Sequence, residues 1–182
     1  QITNEDVVVL SGAGTLGLGM VTYARMKNPA RLIVLDMIDQ RLEKAKEFGA
    51  DLVWNPSKVN VVEEIMKLTN GYGCDIYIEA TGHPASVQQG MDMIRKLGRF
   101  VEFSVFGAPT TLDWSIIGDG KELDVLGSHL SPYCYPFVIE HIANGTLKTD
   151  GMIRSTFRLE DWEKAFDYAT GKYGDFKVAF TF

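Results

Sequence analysis

VVVLSGAGTLGLG (residues 7–19) joins a short apolar, mostly β-branched run to three glycines spaced G-x-G-x-x-G. A buried strand followed by a tight turn that opens a helix accounts for both halves. In that setting Gly12 permits the turn, Gly14 lets the backbone approach a pyrophosphate, and Gly17 lets the helix pack close to the sheet. The N–H groups at the start of the helix, from Thr15 onward, then face a diphosphate together with the positive end of the helix dipole. A structural bend without a ligand would carry the same glycines, so the turn alone leaves both readings open.

Outward from this turn, apolar runs alternate with helical periodicity. RLIVLD (31–36), DLVW (51–54), DIYIEA (75–80), RFVEFSVF (99–106) and LDVLGSHL (123–130) read as strands. Helices are expected over 15–27, 39–50, 60–71 and from Pro84 to about Lys96; in the second, Leu42, Ala45 and Phe48 share a face. Apolar strands separated by helices of about ten residues predict parallel pairing with both faces covered. The fold class expected is therefore α/β: a doubly wound, Rossmann-type parallel sheet of six strands with a short C-terminal α/β extension. In that extension a helix over 136–144 stops at Gly145, and a strand over 153–159, a helix over 160–169 and a terminal strand in FKVAFTF follow. A boundary near residue 130 divides a domain, 1–130, from a segment, 131–182.

The chain has 182 residues, enough for one substantial core, and a formal charge of −6, which argues against non-specific binding to nucleic acid or anionic membrane. It contains no run of eighteen apolar residues and no recognisable signal peptide. Cys74 and Cys134 lie far apart and match no zinc or redox spacing. A soluble protein of the reducing cytoplasm is expected. His83, His129 and His141 form no H-x-x-x-H pair; His141 reads as structural, while His129 ends the sixth strand at the carboxyl edge, where such sheets bind ligands. Glu79 and Asp75 read as structural carboxylates, and Trp54, Trp114 and Trp162 as packing residues.

Asp36 narrows the reading of the turn. It ends the second strand nineteen residues beyond Gly17, where a carboxylate accepts hydrogen bonds from adenosine ribose hydroxyls and repels a 2′-phosphate, favouring NAD over NADP. Arg41 is either a solvated helix charge or a residue near the adenine; we place it near the adenine. Tyr168 and Lys172, with Ser155, have the spacing of a Ser-Tyr-Lys triad, but Gly171 interrupts their helix and Leu16 stands where a short-chain dehydrogenase needs glycine, so chance spacing is the better account.

Taken together, VVVLSGAGTLG, LIVLD with RLEKAKEFGAD, GYGCDIYIEATG, LGRFVEFSVFG, FRLEDWEKAFD and GDFKVAFTF resemble, in order, the cofactor domain of the medium-chain zinc-dependent alcohol and polyol dehydrogenases. The likeness is strongest to the sorbitol, threonine and small-polyol branch. The resemblance implies that Leu16 covers the diphosphate and ribose and that Thr81 and Gly82 pass the adenosine end. Phe103, Ser104 and Val105 would flank the nicotinamide, Ser128, His129 and Leu130 would reach its carboxamide, and Lys177 would face the pyrophosphate. Leu130 stands where sorbitol-type members often carry arginine, which points away from a sorbitol-like substrate.

By the same resemblance, the zinc ligands and proton relay belong to an N-terminal catalytic domain, and residues 131–182 complete that domain. The expected whole is an NAD-dependent oxidoreductase of secondary alcohols, such as small polyols, with these 182 residues inactive alone. TTLDWSII (110–117) alternates apolar and polar residues and is expected as an exposed edge strand, through which a homodimer or tetramer could pair. A non-catalytic NAD(H) sensor stays open beside this. An S-adenosylmethionine methyltransferase is a third reading, against which Gly17 argues.

Overall fold

The computed structural model describes residues 1–130, 133–171, 173 and 175–182. Six strands build the main sheet: β1 (Val7–Ser11), β2 (Arg31–Leu35), β3 (Leu52–Trp54), β4 (Cys74–Glu79), β5 (Ile94–Glu102) and β6 (Asp124–Gly127). Their order is β3-β2-β1-β4-β5-β6 and every pair is parallel. The crossovers carry α1 (Thr15–Met26), α2 (Asp39–Glu47), α3 (Val61–Leu68) and α4 (Pro84–Met93). The chain reverses its direction of winding between β1 and β4, and in an open α/β sheet the crevice at that point is where ligands bind.

The apolar strands are buried because they serve two cores. Val8 and Leu10 of β1 point to a cluster holding Leu18, Val21 and Ala24 of α1 and Ala45 of α2. Val9 points the other way, to Val61 and Ile65 of α3 and Val87 and Met91 of α4. Each fully buried aliphatic chain contributes about 1.5–3 kcal/mol, so the unbroken VVVL run is a requirement of a two-faced sheet. Local signals start the helices: Asn60 caps α3 by accepting from Glu63 N, and Pro84 follows the His83 cap of α4.

Beyond the sheet lie α5 (Tyr135–Ala143), β7 (Ile153–Arg158), α6 (Trp162–Ala169) and β8 (Lys177–Thr181). β7 and β8 pair in parallel as a separate two-stranded sheet. This segment is fastened to the α1–α2 side. Thr22 Oγ1 accepts from Lys148 N at 3.0 Å, Lys148 Nζ donates to the Glu47 carbonyl at 2.8 Å, and the Thr15 hydroxyl donates to the Phe176 carbonyl.

Three sequence expectations are corrected. Residues 110–117 form no strand: the Asp113 carboxylate accepts from Ser115 N at 3.0 Å and caps a 3-10 turn over Trp114–Ile116. The free sheet edge on this side is β6, with Val125 and Leu126 exposed, so 110–117 offers no edge for pairing subunits. Helix α4 ends at Met93 rather than near Lys96, because Lys121 Nζ takes up the carbonyls of Met91, Asp92 and Ile94 at its end and Ile94–Lys96 join β5. Of the tryptophans, only Trp54 packs against the core, whereas Trp114 and Trp162 stand outside the two sheets and are exposed.

Candidate functional site

The glycine turn leaves β1 at the winding reversal and is compressed from two sides. Gly12 has φ +107°, donates its N–H to the Leu35 carbonyl at 2.7 Å, and lies so close to Ala80 that a Cβ would come within 2.6 Å of that carbonyl oxygen. A Cβ on Gly17 would come within 1.9 Å of the Gly12 carbonyl oxygen, so only glycine lets α1 start this close to the turn. Gly14 differs: a Cβ there would meet nothing within 4 Å. It is the N-cap of α1, and no side chain caps that helix. The open backbone at the positive end of the helix is the form of a diphosphate cradle.

Asp36 closes the other wall, with its side chain only 7% exposed. Its Oδ2 accepts from Ala13 N at 2.7 Å, its Oδ1 accepts from Ile38 N at 2.9 Å, and Arg41 Nη1 lies 3.7 Å from Oδ2. The carboxylate therefore anchors the middle of the glycine turn as well as facing the cleft. Each oxygen still has acceptor capacity for a ribose hydroxyl. The cleft, about 360 Å³, is lined by Gly12, Gly14, Asp36, Arg41, Thr81 and His83 among others.

Behind the cleft is a buried hydroxyl chain that sequence reading missed. Tyr77 OH lies 2.8 Å from both the Ser86 carbonyl and the Ser86 hydroxyl, and Ser86 Oγ donates to Ser11 Oγ at 2.9 Å. Burial pushes the Tyr77 hydroxyl well above its ordinary pKa, so it stays a neutral donor. The chain couples the last residue of β1 to the first turn of α4. His83 was also passed over as a cap, though a residue directly before a proline at N1 signals one. Its Nδ1 accepts from Ala85 N at 3.2 Å.

The remaining residues divide into two groups. Thr15 and Leu16 open α1; the Leu16 side chain is 66% exposed, and Lys177, also exposed, follows the Phe176 carbonyl that receives the Thr15 hydroxyl. Thr81 sits on the cleft wall with Gly82 next to it, both bound to the Glu79 carboxylate. Ser104 Oγ donates to the Glu79 carbonyl at 3.2 Å, and Val105 is exposed. Phe103 and Ser128 instead line a second groove of about 720 Å³, walled by Met20, Ile78, Val101 and Leu126. That groove is larger, and it includes none of the glycine turn. Ser128 N donates to the Glu102 carbonyl at 2.9 Å, and His129 and Leu130 continue exposed from β6.

Ser155 Oγ donates to Asp175 at 2.7 Å and Tyr168 stacks on Tyr173, while Lys172 lies outside the described residues. Ser155 is thus engaged away from the cleft. His141 Nδ1 lies 2.8 Å from the Phe137 carbonyl and its ring stacks on Phe137, a structural arrangement. Among the described residues no group of three or more histidine, cysteine or acidic side chains could hold a metal ion, so these residues do not fit a zinc site. No helix among them is long and apolar enough to cross a membrane.

Residues 15–144 match the model of a family described as zinc-binding dehydrogenases. The chain is 50% identical over 173 residues to an erythritol/L-threitol dehydrogenase of Mycolicibacterium smegmatis, covering 94% of this chain and 48% of that protein. It is 33% identical to an L-threonine 3-dehydrogenase of Pyrococcus horikoshii, over 95% of this chain and 50% of the relative. Among solved structures, the NADH complex of the E. coli CFT073 alcohol dehydrogenase rspB superposes with a TM-score of 0.91 at 31% identity, covering 100% of this chain and 54% of that one. The chain spans about half the length of the curated relatives it matches.

Proposed function

Because the chain belongs to the zinc-binding dehydrogenase family, we propose that it is the NAD-binding part of a dehydrogenase acting on a secondary alcohol. The observation that carries this is the pairing of an open Gly14 backbone at the start of α1 with the buried Asp36 carboxylate across the cleft. Gly12, Gly14, Thr15, Leu16 and Gly17 would hold the diphosphate, with Lys177 beside them. Asp36 would take the adenosine ribose, and Arg41, Thr81 and Gly82 the adenine side. Phe103 to Val105 and Ser128 to Leu130, which leave β5 and β6 at the same carboxyl edge, would bound the nicotinamide.

When bound, NAD supplies the hydride acceptor or donor. The chain's own residues bind and orient: the α1 dipole offsets diphosphate charge, and the Asp36 carboxylate disfavours a 2′-phosphate. A zinc ion, with ligands from outside the described residues, would polarise the substrate oxygen. We read residues 1–130 as the cofactor domain and 131–182 as a segment completing the catalytic part. The erythritol/L-threitol relative supports a small polyol as substrate; the departure at Leu130 points only away from a sorbitol-like one. We also infer a homo-oligomer, with the exposed β6 edge rather than 110–117 available for pairing, and a cytoplasmic setting, which suits the buried thiol of Cys74.

Calorimetry with NADH, NADPH and S-adenosylmethionine tests the reading. NADH should bind, NADPH should bind at least about tenfold more weakly, and S-adenosylmethionine should not bind. A preference for NADPH would show that Asp36 does not select the cofactor. These 182 residues alone should oxidise no alcohol, with or without added zinc.

A further inference from the structure

Glu79 ends β4 with a side chain that solvent does not reach at all. Burying a carboxylate is costly unless charge or hydrogen bonds compensate. Among the described residues Glu79 has no cationic partner, and its register neighbour across the sheet is a second carboxylate, Glu102. Its compensation is local. Oε1 accepts from Thr81 N at 2.9 Å and from Thr81 Oγ1 at 2.5 Å, and Oε2 accepts from Gly82 N at 3.2 Å.

The main chain of the same residue holds a different loop. The Glu79 carbonyl accepts from Phe103 N at 3.1 Å and from Ser104 Oγ at 3.2 Å. The two loops then touch: a Cβ on Gly82 would lie 2.7 Å from the Val105 carbonyl oxygen. Five hydrogen bonds from one residue thus gather the turn on the adenosine side and the loop on the nicotinamide side.

We infer that Glu79 is a positioning residue that sets the spacing between the Thr81–Gly82 turn and the Phe103–Val105 loop, and so the fit of a whole dinucleotide as opposed to its adenosine half. The inference rests on the NAD reading above. Glutamine at this position keeps one acceptor for Thr81 but turns an NH₂ donor toward the Gly82 N–H, so the turn's spacing from the loop it touches must change.

The test is calorimetry of the 182-residue chain with NADH and, separately, with AMP. Glu79→Gln disturbs the adenosine-side turn itself, so AMP should weaken as well, but NADH should lose at least about threefold more than AMP does. Asp75→Asn, at the opposite end of the same strand where Asp75 accepts from Val7 N and Arg95, should lower the melting temperature and leave both affinities unchanged. Glu79→Asp keeps the charge with a shorter reach. It should give the same order of losses, and it decides the matter if Glu79→Gln does not fold. Unchanged NADH affinity, or equal losses for NADH and AMP, overturns the inference. A wild-type chain that binds neither ligand overturns the NAD reading itself, and this inference with it.

Discussion

The Asp36 carboxylate accepts the Ala13 N–H at 2.7 Å, which makes a residue that faces the cleft also the one that shapes the glycine turn. On the proposal that Asp36 takes the adenosine ribose, cofactor choice and turn geometry would be linked through one side chain. Asp36→Ala leaves a buried N–H without its acceptor, at a cost of about 1–3 kcal/mol. Melting without any cofactor should already show the loss. Asp36→Asn, which can still accept from Ala13, should melt nearer to wild type but discriminate less between NADH and NADPH.

The glycines separate folding from binding. Gly17→Ala drives a methyl into the Gly12 carbonyl oxygen, and we expect destabilisation of at least about 1–3 kcal/mol. Gly14→Ala has open space and an ordinary φ of −69°, so it should fold as wild type. Its methyl, though, projects where the diphosphate would approach, and NADH affinity should fall. Paired chemical denaturation and NADH titration of the two variants check this, and a Gly14→Ala protein with full NADH affinity would count against the cradle.

Tyr77→Phe removes the hydroxyl at the end of the buried chain through Ser86 to Ser11. The Ser86 carbonyl then keeps only its place in the helix and the Ser86 hydroxyl only Ser11, so a cost of about 0.5–1.5 kcal/mol is expected in urea unfolding. A loss of that size in a protein this long corresponds to a melting shift of a few degrees.

Alkaline stability offers a fourth test. Burial pushes the Cys74 thiol from 9.0 up to about 12. A folded value above the unfolded one means stability that is fully present below pH 9 and lost as pH rises toward 12. Tyr77, also raised by burial, acts in the same direction from pH 10 upward. Lys121, lowered by burial, opposes them. Cys74→Ala leaves the other two in place, so its unfolding free energy should fall less steeply with pH than wild type above about pH 9. Parallel slopes for the two proteins would rule out the thiol as a contributor.

The parts of the fold legible in the sequence are those governed by near neighbours. VVVL followed by Gly12, Gly14 and Gly17 announces strand, turn and helix because each residue's role is set within a few positions. Alternation alone misled at 110–117, where the Asp113 cap on Ser115 and the backbone bonds from Ile116 to Asp113 and from Ile117 to Trp114 curl the chain into a 3-10 turn. The site was legible by residue type and not by connection. The sequence reads Asp36 as an acceptor for a ribose, whereas its bond to Ala13 spans 23 residues and leaves no local trace. Glu79 was legible as a structural carboxylate, while its hold on residues 103 and 104 depends on where β5 ends.

The Thr15–Phe176 contact has a consequence for synthesis. The turn that β1 and α1 build is synthesised 161 residues before the carbonyl that takes up the Thr15 hydroxyl. Sheet pairing among β1, β2 and β4 can proceed during elongation. The clasp over the start of α1 can close only after translation has passed Phe176, so a nascent chain holds its glycine turn in a looser form than the finished one.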